Sequence, residues 1–436
     1  MSRDVTVGID IGTTSVKAIA ADRDGAVVAS ARVPHEVRVP SPGRLEHDAA
    51  EAWHTGPLRA FAELGADDVV AVSVAAMVPS LAPVDAGGVP CGPGLLYGDE
   101  RGHTGSAASP AESGELLAFL RWLTDETPEA AGYWPAQAVA NHALGGRAIL
   151  DTSTAATAFP LFDWTGWDET VARDSGARVE QLPAILPTGE AAGRVGNDGP
   201  LLASGCIDAL AEQLVAGVDE IGDVLVILGT TLIVWVVTGE QVDADGCFTI
   251  PHTTPYRWLV GGPSNAGGLF VDWATRLLRS SGGDVDPAQV PLWAPYPRGE
   301  RVPFHDQARR AALVDLALVH DASAARRAAF EASGFAARRM IDRVGGARRV
   351  VATGGGVRVA EWVQALADAT ALPIDCVAVP EGAALGSAWL ARLAAGLEPG
   401  ARMADGRRWA RTIARVEPDE RWTDETAARY ERFLQL

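Results

Sequence analysis

The chain has 436 residues, with 56 acidic against 37 basic side chains and a net charge of −19. That length can bury two or three sizeable cores, and the charge excludes broad electrostatic attraction to nucleic acid or anionic membranes. An anionic ligand therefore needs a local site.

Cys91, Cys206, Cys247 and Cys376 form neither a Cys-x-x-Cys pair nor a zinc spacing, which suits a reduced, cytoplasmic protein. A strand-like run follows Met1-Ser2-Arg3-Asp4 directly, so no signal peptide is expected, and no apolar run reaches membrane-spanning length. That first run, Val5 to Ala20, reads V-T-V-G-I-D-I-G-T-T-S-V-K-A-I-A. Its β-branched alternation predicts a hairpin turning at Gly12-Thr13-Thr14. Such a turn offers backbone N–H groups and hydroxyls to an anion. Asp10 is placed to hold Mg²⁺ directly or through water, and Lys17 supplies a cation, which together make a phosphate cradle. The alternative is an ordinary edge hairpin.

A third strand is expected over Ala26 to Val33, then a Pro-rich loop. Asp48 caps a helix from about Ala49 to Leu64. Val69 to Ala75 reads as a buried strand that Met77-Val78-Pro79-Ser80 ends. Glu112 to Thr124 and Trp134 to Leu144 look helical, whereas Thr152 to Asp168 has little period and reads as loop and short strand. Asp208 opens a helix over Ala209 to Ala216, with Gly217 as its C-cap.

Val224 to Val237 then repeats the opening plan, V-L-V-I-L-G-T-T-L-I-V-W-V-V, with its turn at Gly229-Thr230-Thr231. The second turn falls almost half a chain after the first, which indicates an internal duplication with a phosphate-facing turn opening each half. Asn265 to Arg279 reads as a helix with Leu269, Phe270, Trp273, Leu277 and Leu278 inward. Ala322 to Val344, Val359 to Thr370 and Gly382 to Ala395 follow as helices, and Arg349 to Ala352 as a strand. Strands and helices alternate, so the class is α/β.

Thr353-Gly354-Gly355-Gly356 joins a strand to a helix, where glycines permit close approach of a ligand to the backbone or simply make a turn. Asp208 serves as a helix cap, as a general base for an attacking hydroxyl, or as both. Asp99 and Arg101 either contact a polyhydroxylated substrate or form a solvated pair. Glu46 and Asp48 carry the same ambiguity, and Glu300 with Arg301 reads as a structural ion pair. The histidines show no metal-ligand spacing.

In order, D-I-G-T-T-S-V-K, P-G-R-L-E-H-D, G-D-E-R, G-C-I-D-A, L-G-T-T, P-Y-P-R-G-E-R-V-P, T-G-G-G and E-G-A-A-L-G-S-A resemble the FGGY carbohydrate kinases of the actin–hexokinase–Hsp70 superfamily. The resemblance covers nearly the whole chain. It implies two ribonuclease-H-like (actin-like ATPase) lobes, here 1–218 and 219–436, with an active-site cleft between them. It further implies ATP and Mg²⁺. Asp10 acts through the metal; Thr13, Thr14 and Lys17, with Gly12, meet the phosphates; Gly229 and Thr230 form the second phosphate turn; Gly354 and Gly355 pack on the adenosine. Asp208 matches the catalytic base, and Asp99 and Arg101 fall in the sugar-contact segment.

The acceptor side departs from the family pattern. Ala76-Met77-Val78 stands where ketopentose kinases often carry Gln-Met-His, Tyr97 where Trp is usual, and Ala209 where Asn or Gln commonly follows the base. Met77 and Val78 therefore mark the altered substrate pocket. The expected activity is ATP-dependent phosphorylation of a sugar or polyol hydroxyl, with a ketopentose such as xylulose as the default acceptor. The alternative is a catalytically altered nucleotide-binding relative with a regulatory role. Beyond the small-molecule acceptor no nucleic acid and no membrane are expected as partners, and a homodimer is kept open.

Overall fold

A computed structural model describes residues 4–41, 43–103, 115–254, 256–279, 283–377 and 382–436. The described chain separates into two compact units. One holds the described residues up to 103, then 115–215 and 382–409; the other holds 216–377 and 410–436.

The first unit is built on a sheet ordered Ala191–Arg194, Leu201–Ala203, Val69–Ala76, Val5–Ile11, Ser15–Ala21, Val27–Pro34. The last three strands form an antiparallel meander, whereas Val69–Ala76 runs parallel to Val5–Ile11. Val5–Ile11 is buried along its whole length, Thr6 and Asp10 included, as befits a central strand with both sheet faces covered. Val5, Val7, Ile9 and Ile11 share a core with Trp53, Ala60, Val139 and Leu144. The helix Gly382–Ala394 packs on the same strand. A Cβ at Gly8 would stand 1.7 Å from the Ala384 carbonyl oxygen, so only glycine lets helix and strand approach this closely. A smaller sheet, Glu46–Asp48, Pro93–Leu96, Ser80–Val84 and Gly132–Trp134, covers a second core with the helix Glu115–Glu126.

The second unit repeats the plan. Its sheet runs Phe248–Pro251, Trp258–Ser264, Leu232–Thr238, Asp223–Leu228, Arg349–Thr353, Ile374–Val377, Thr412–Val416. The first four strands are antiparallel in turn, and Arg349–Thr353 lies parallel to Asp223–Leu228. The helices Ala322–Val344 and Ala360–Thr370 enclose the main core with the sheet. Buried Glu331 receives Arg429 through both carboxylate oxygens, at 2.7 and 2.8 Å, and Arg327 at 2.9 Å. Removing either partner of such a pair would leave an uncompensated buried charge.

Three expectations need correction. The helix expected over Ala49 to Leu64 is a wide π turn, Ala50–Thr55, followed by an α-helix over Gly56–Glu63. Pro57 has no N–H to give the carbonyl four residues back, and its ring crowds that carbonyl. The stretch expected as loop from Thr152 opens as a helical turn, Thr152–Ala155, capped by Asp151, whose carboxylate accepts from the Ser153 and Thr154 amides. The helix Gly268–Leu278 buries Phe270, Val271 and Ala274, while Leu269, Trp273 and Leu277 are exposed. Its rotation is fixed by Gly267 and Gly268, which press on the backbone of Gly229–Thr231. The helix expected from Glu112 is described from Glu115; residues 112–114 lie outside the described residues, as do Pro42 and Glu381 of the quoted motifs.

None of the cysteines is disulfide-bonded, and among the described residues no helix is long and apolar enough to cross a membrane.

Candidate active site

In the first unit Asp10 and Asp208 lie at the carboxyl ends of adjacent parallel strands, where open α/β sheets bind ligands. Asp10 lies next to last on Val5–Ile11 and pairs in register with Ala75. Cys206–Ile207 runs parallel to Ala75–Ala76 on the far side of the same strand, and the helix Asp208–Ala216 starts at once. Asp10 and Asp208 thus flank one strand end. The Ala209 amide donates to Asp208 Oδ1 at 2.7 Å. Burial, and then the charge of Asp10, push the Asp208 carboxyl up to about 7.

Across the hairpin, Asp10 pairs with Lys17, whose Nζ stands 3.9 Å from Asp10 Oδ2. Lys17 is the only lysine in the chain; every other basic side chain of the Lys/Arg type is arginine. The turn closes through the Gly12 amide to the Ser15 carbonyl at 3.1 Å. Thr13 Oγ1 meets the Tyr97 hydroxyl at 2.5 Å. Among the described residues, the Thr13 and Thr14 amides donate to nothing, which leaves two donors for an anion.

Met77 is buried and its amide donates to the Ile11 carbonyl at 3.1 Å, so the Ala76–Val78 segment is tied to the end of the first strand. Asp99 and Arg101 are committed to each other. Arg101 Nε reaches Asp99 Oδ1 at 2.9 Å and Nη2 reaches Oδ2 at 2.6 Å. The Arg101 amide and the Leu45 amide complete the shell around the carboxylate at 2.9 and 2.6 Å. Glu46 takes Arg101 Nη1 at 2.7 Å, and Asp48 takes Arg38 while capping the Glu51 amide.

The second unit carries the matching parts. Its turn, Gly229-Thr230-Thr231, has two carbonyls held from behind: Gly268 N–H reaches Gly229 O at 2.8 Å and Leu269 N–H reaches Thr230 O at 3.1 Å. Gly354 follows the neighbouring parallel strand at φ +87°, with Leu228 backbone atoms 2.9–3.3 Å from where a Cβ would sit, while the Cβ position of Gly355 opens into free space. Buried Glu300 accepts from Ser264 Oγ, the Asn265 amide and the Arg301 amide at 2.7–2.8 Å, so its carboxylate braces the strand end that leads into Gly267 and Gly268. Sequence reading missed His35, His47 and Trp53, which back the first turn; His47 stood in the quoted motif without a role.

Each unit thus carries a mixed sheet with a glycine–threonine turn between two antiparallel strands. A xylulose kinase structure from Rhodospirillum rubrum superimposes with a TM-score of 0.84 at 23% identity, over 99% of this chain and 98% of that one, so the fold is the two-domain actin-like ATPase fold. The model of the N-terminal domain of the FGGY family of carbohydrate kinases matches residues 5–107, and the C-terminal domain model matches 224–395. The chain belongs to the FGGY family of carbohydrate kinases, phosphotransferases that use an alcohol group as acceptor. It is 29% identical to a xylulose kinase of Streptomyces rubiginosus, over 97% of this chain and 95% of the relative. It is 25% identical to a glycerol kinase of Pseudarthrobacter chlorophenolicus, over 95% of both.

Proposed function

We propose that this chain transfers the γ-phosphoryl group of ATP to a hydroxyl of a sugar or polyol, with a ketopentose such as xylulose as the first acceptor to test. The observation that carries this reading is the placement of Asp208 beside Asp10 at the carboxyl end of one sheet. A carboxyl group with a pKa near neutrality is suited to take a proton from an incoming alcohol.

The residues present fit Mg²⁺ and a nucleotide. Among the described residues no group of three or more His, Cys, Asp or Glu side chains is arranged to hold a metal by itself. Magnesium is commonly held by one or two carboxylates and substrate phosphates, and Asp10 supplies such a carboxylate. When bound, the cation would offset the charge of the phosphoryl oxygens. Lys17 and the amides of Thr13 and Thr14 would bind phosphate oxygens in the first unit. Gly229 and Thr230 would do so in the second, where Gly354 and Gly355 leave room for the adenosine. Asp208 orients the acceptor hydroxyl and accepts its proton as the new O–P bond forms and the β–γ bridging bond breaks, releasing ADP. Met77 and Val78 would line the acceptor side, on a segment whose side chains offer no hydrogen bond. Asp99 and Arg101 would set the shape of the neighbouring loop.

Coupled measurement of ADP formation over a panel of ketoses, aldoses and polyols tests the reading. At least one acceptor should raise turnover well above the ATP hydrolysis of the protein alone; a panel with no response would end the proposal.

A further inference from the structure

Every carbonyl of the first glycine–threonine turn is occupied from behind by two histidines. His35 Nε2 lies 3.0 Å from Gly12 O, His47 Nε2 lies 2.9 Å from Thr13 O, and the His35 amide lies 3.0 Å from Thr14 O. A carbonyl only accepts, so both ring Nε2 atoms carry the proton. The His47 tautomer has an independent cause, because Trp53 Nε1–H donates to His47 Nδ1 at 2.9 Å. The two rings stand 4.5 Å apart, and His47 and Trp53 are fully buried. His35 Nδ1 is buried and meets no donor among the described residues, so Gly12 O alone sets its tautomer.

A peptide unit presents its C=O and N–H on opposite sides. With the Gly12 and Thr13 carbonyls drawn back onto the histidines, the Thr13 and Thr14 amides that share those peptide units face the other way, and these are the two amides that donate to nothing among the described residues. The second turn reaches the same result by other means, through the amides of Gly268 and Leu269.

We propose that His35 and His47 are positioning residues that hold the first turn so that the Thr13 and Thr14 amides point at the nucleotide phosphates, with Trp53 locking the His47 tautomer. This rests on the reading that the turn binds phosphate. Burial keeps His47 neutral, its pKa lowered to about 4, so the donor pattern holds across the neutral range.

The test compares His47→Phe, which keeps a ring and removes the donor, with His47→Gln, whose amide nitrogen can stand in for Nε2. Dissociation constants for Mg-ATP and for adenosine, and KM and kcat for the acceptor, are measured on the full chain. His47→Phe should weaken Mg-ATP at least tenfold while adenosine affinity and acceptor KM stay within twofold. His47→Gln should recover most of the loss, and Trp53→Phe should fall between. A merely structural role would lower adenosine and acceptor affinity together with Mg-ATP, and Gln would rescue nothing; that result overturns the proposal, as does wild-type Mg-ATP affinity in His47→Phe. His35→Phe carries the same expectation on a second side chain, should His47→Phe prove insoluble. Failure of the wild-type chain to bind Mg-ATP would defeat the phosphate reading itself, which separates the two failures.

Discussion

The Asp99 carboxylate and the Arg101 guanidinium are held to each other through both carboxylate oxygens, at 2.6–3.1 Å, with both side chains buried. Glu46 also depends on Arg101. Truncating the arginine would strand two carboxylates in a poorly solvated place. Arg101→Ala is therefore expected to cost about 3–5 kcal/mol of stability, read as a lower urea midpoint. An unchanged midpoint would mean the pair contributes little to the fold.

Asp208 gives a prediction for the chemistry. As a base it works only when ionised, and its carboxyl sits near 7 because of burial and the Asp10 charge. Turnover should fall on the acid side of about pH 7, and the limb should move lower as Mg²⁺ is raised, since a cation at Asp10 offsets the like charge. Asp208→Asn should lose roughly 10²–10⁴-fold in kcat with Mg-ATP affinity within a few-fold of wild type. Retained turnover would remove Asp208 from the role.

The two hairpins, the long helix Ala322–Val344 and the glycine-rich strand ends were legible because local patterns specify them: apolar alternation, a forced turn, a cap. What the sequence hid was rotation and partnership. Leu269 and Trp273 looked inward by period, yet Gly267 and Gly268, packed on Gly229–Thr231, turn the helix by one position. The clasp of His35 and His47 on one turn joins side chains to carbonyls 23 and 34 places away, and nothing in the spacing of a histidine announces which carbonyl it meets. Asp99 and Arg101 read as a substrate contact or a solvated pair; they do pair, but buried, because Leu45 and Glu46, remote in sequence, complete their shell.

Lys17 offers a clean chemical handle. Being the sole lysine, it is the one side-chain amine, so an amine-reactive reagent should modify Lys17 and otherwise only the α-amino group. Mg-ATP should slow that labelling. Lys17→Met should lower kcat/KM for ATP by roughly ten- to a hundredfold, about one phosphate contact, and Lys17→Arg should recover only part, because a planar guanidinium does not replace a compact ammonium. Labelling at equal rate with and without Mg-ATP would place Lys17 away from the phosphates.

His47 also makes acid stability predictable. Its pKa is lowered by burial to about 4, from an ordinary value of 6.5, so between those values the unfolded chain binds more protons than the native one. Stability from this group is complete above about 6.5 and is lost as pH falls toward 4, by about 3 kcal/mol at most. His35 and His252, also lowered by burial, act in the same sense. Buried Glu300, pushed up to about 7, acts in the opposite one, losing stability as pH rises through its range. Urea unfolding at pH 7 and at pH 5 should show a smaller difference in His47→Gln than in wild type. An equal difference would show that His47 does not govern the slope.

Gly354 and Gly355 are neighbours with opposite demands, and substituting each in turn separates fold from function. Gly354 sits at φ +87° with Leu228 backbone 2.9–3.3 Å from its Cβ position, so Gly354→Ala meets both a left-handed backbone and a rigid neighbour. It should destabilise by more than about 1 kcal/mol, with a lower urea midpoint. Gly355 lies at the start of the 3₁₀ turn Gly355–Arg358 and, among the described residues, has nothing within 4 Å of its Cβ position. Gly355→Ala should leave the midpoint within about 0.5 kcal/mol of wild type, while a methyl group on the proposed adenosine surface raises the KM for ATP several-fold. If Gly355→Ala binds ATP as wild type does, the adenosine lies elsewhere, and Gly354 serves only the turn.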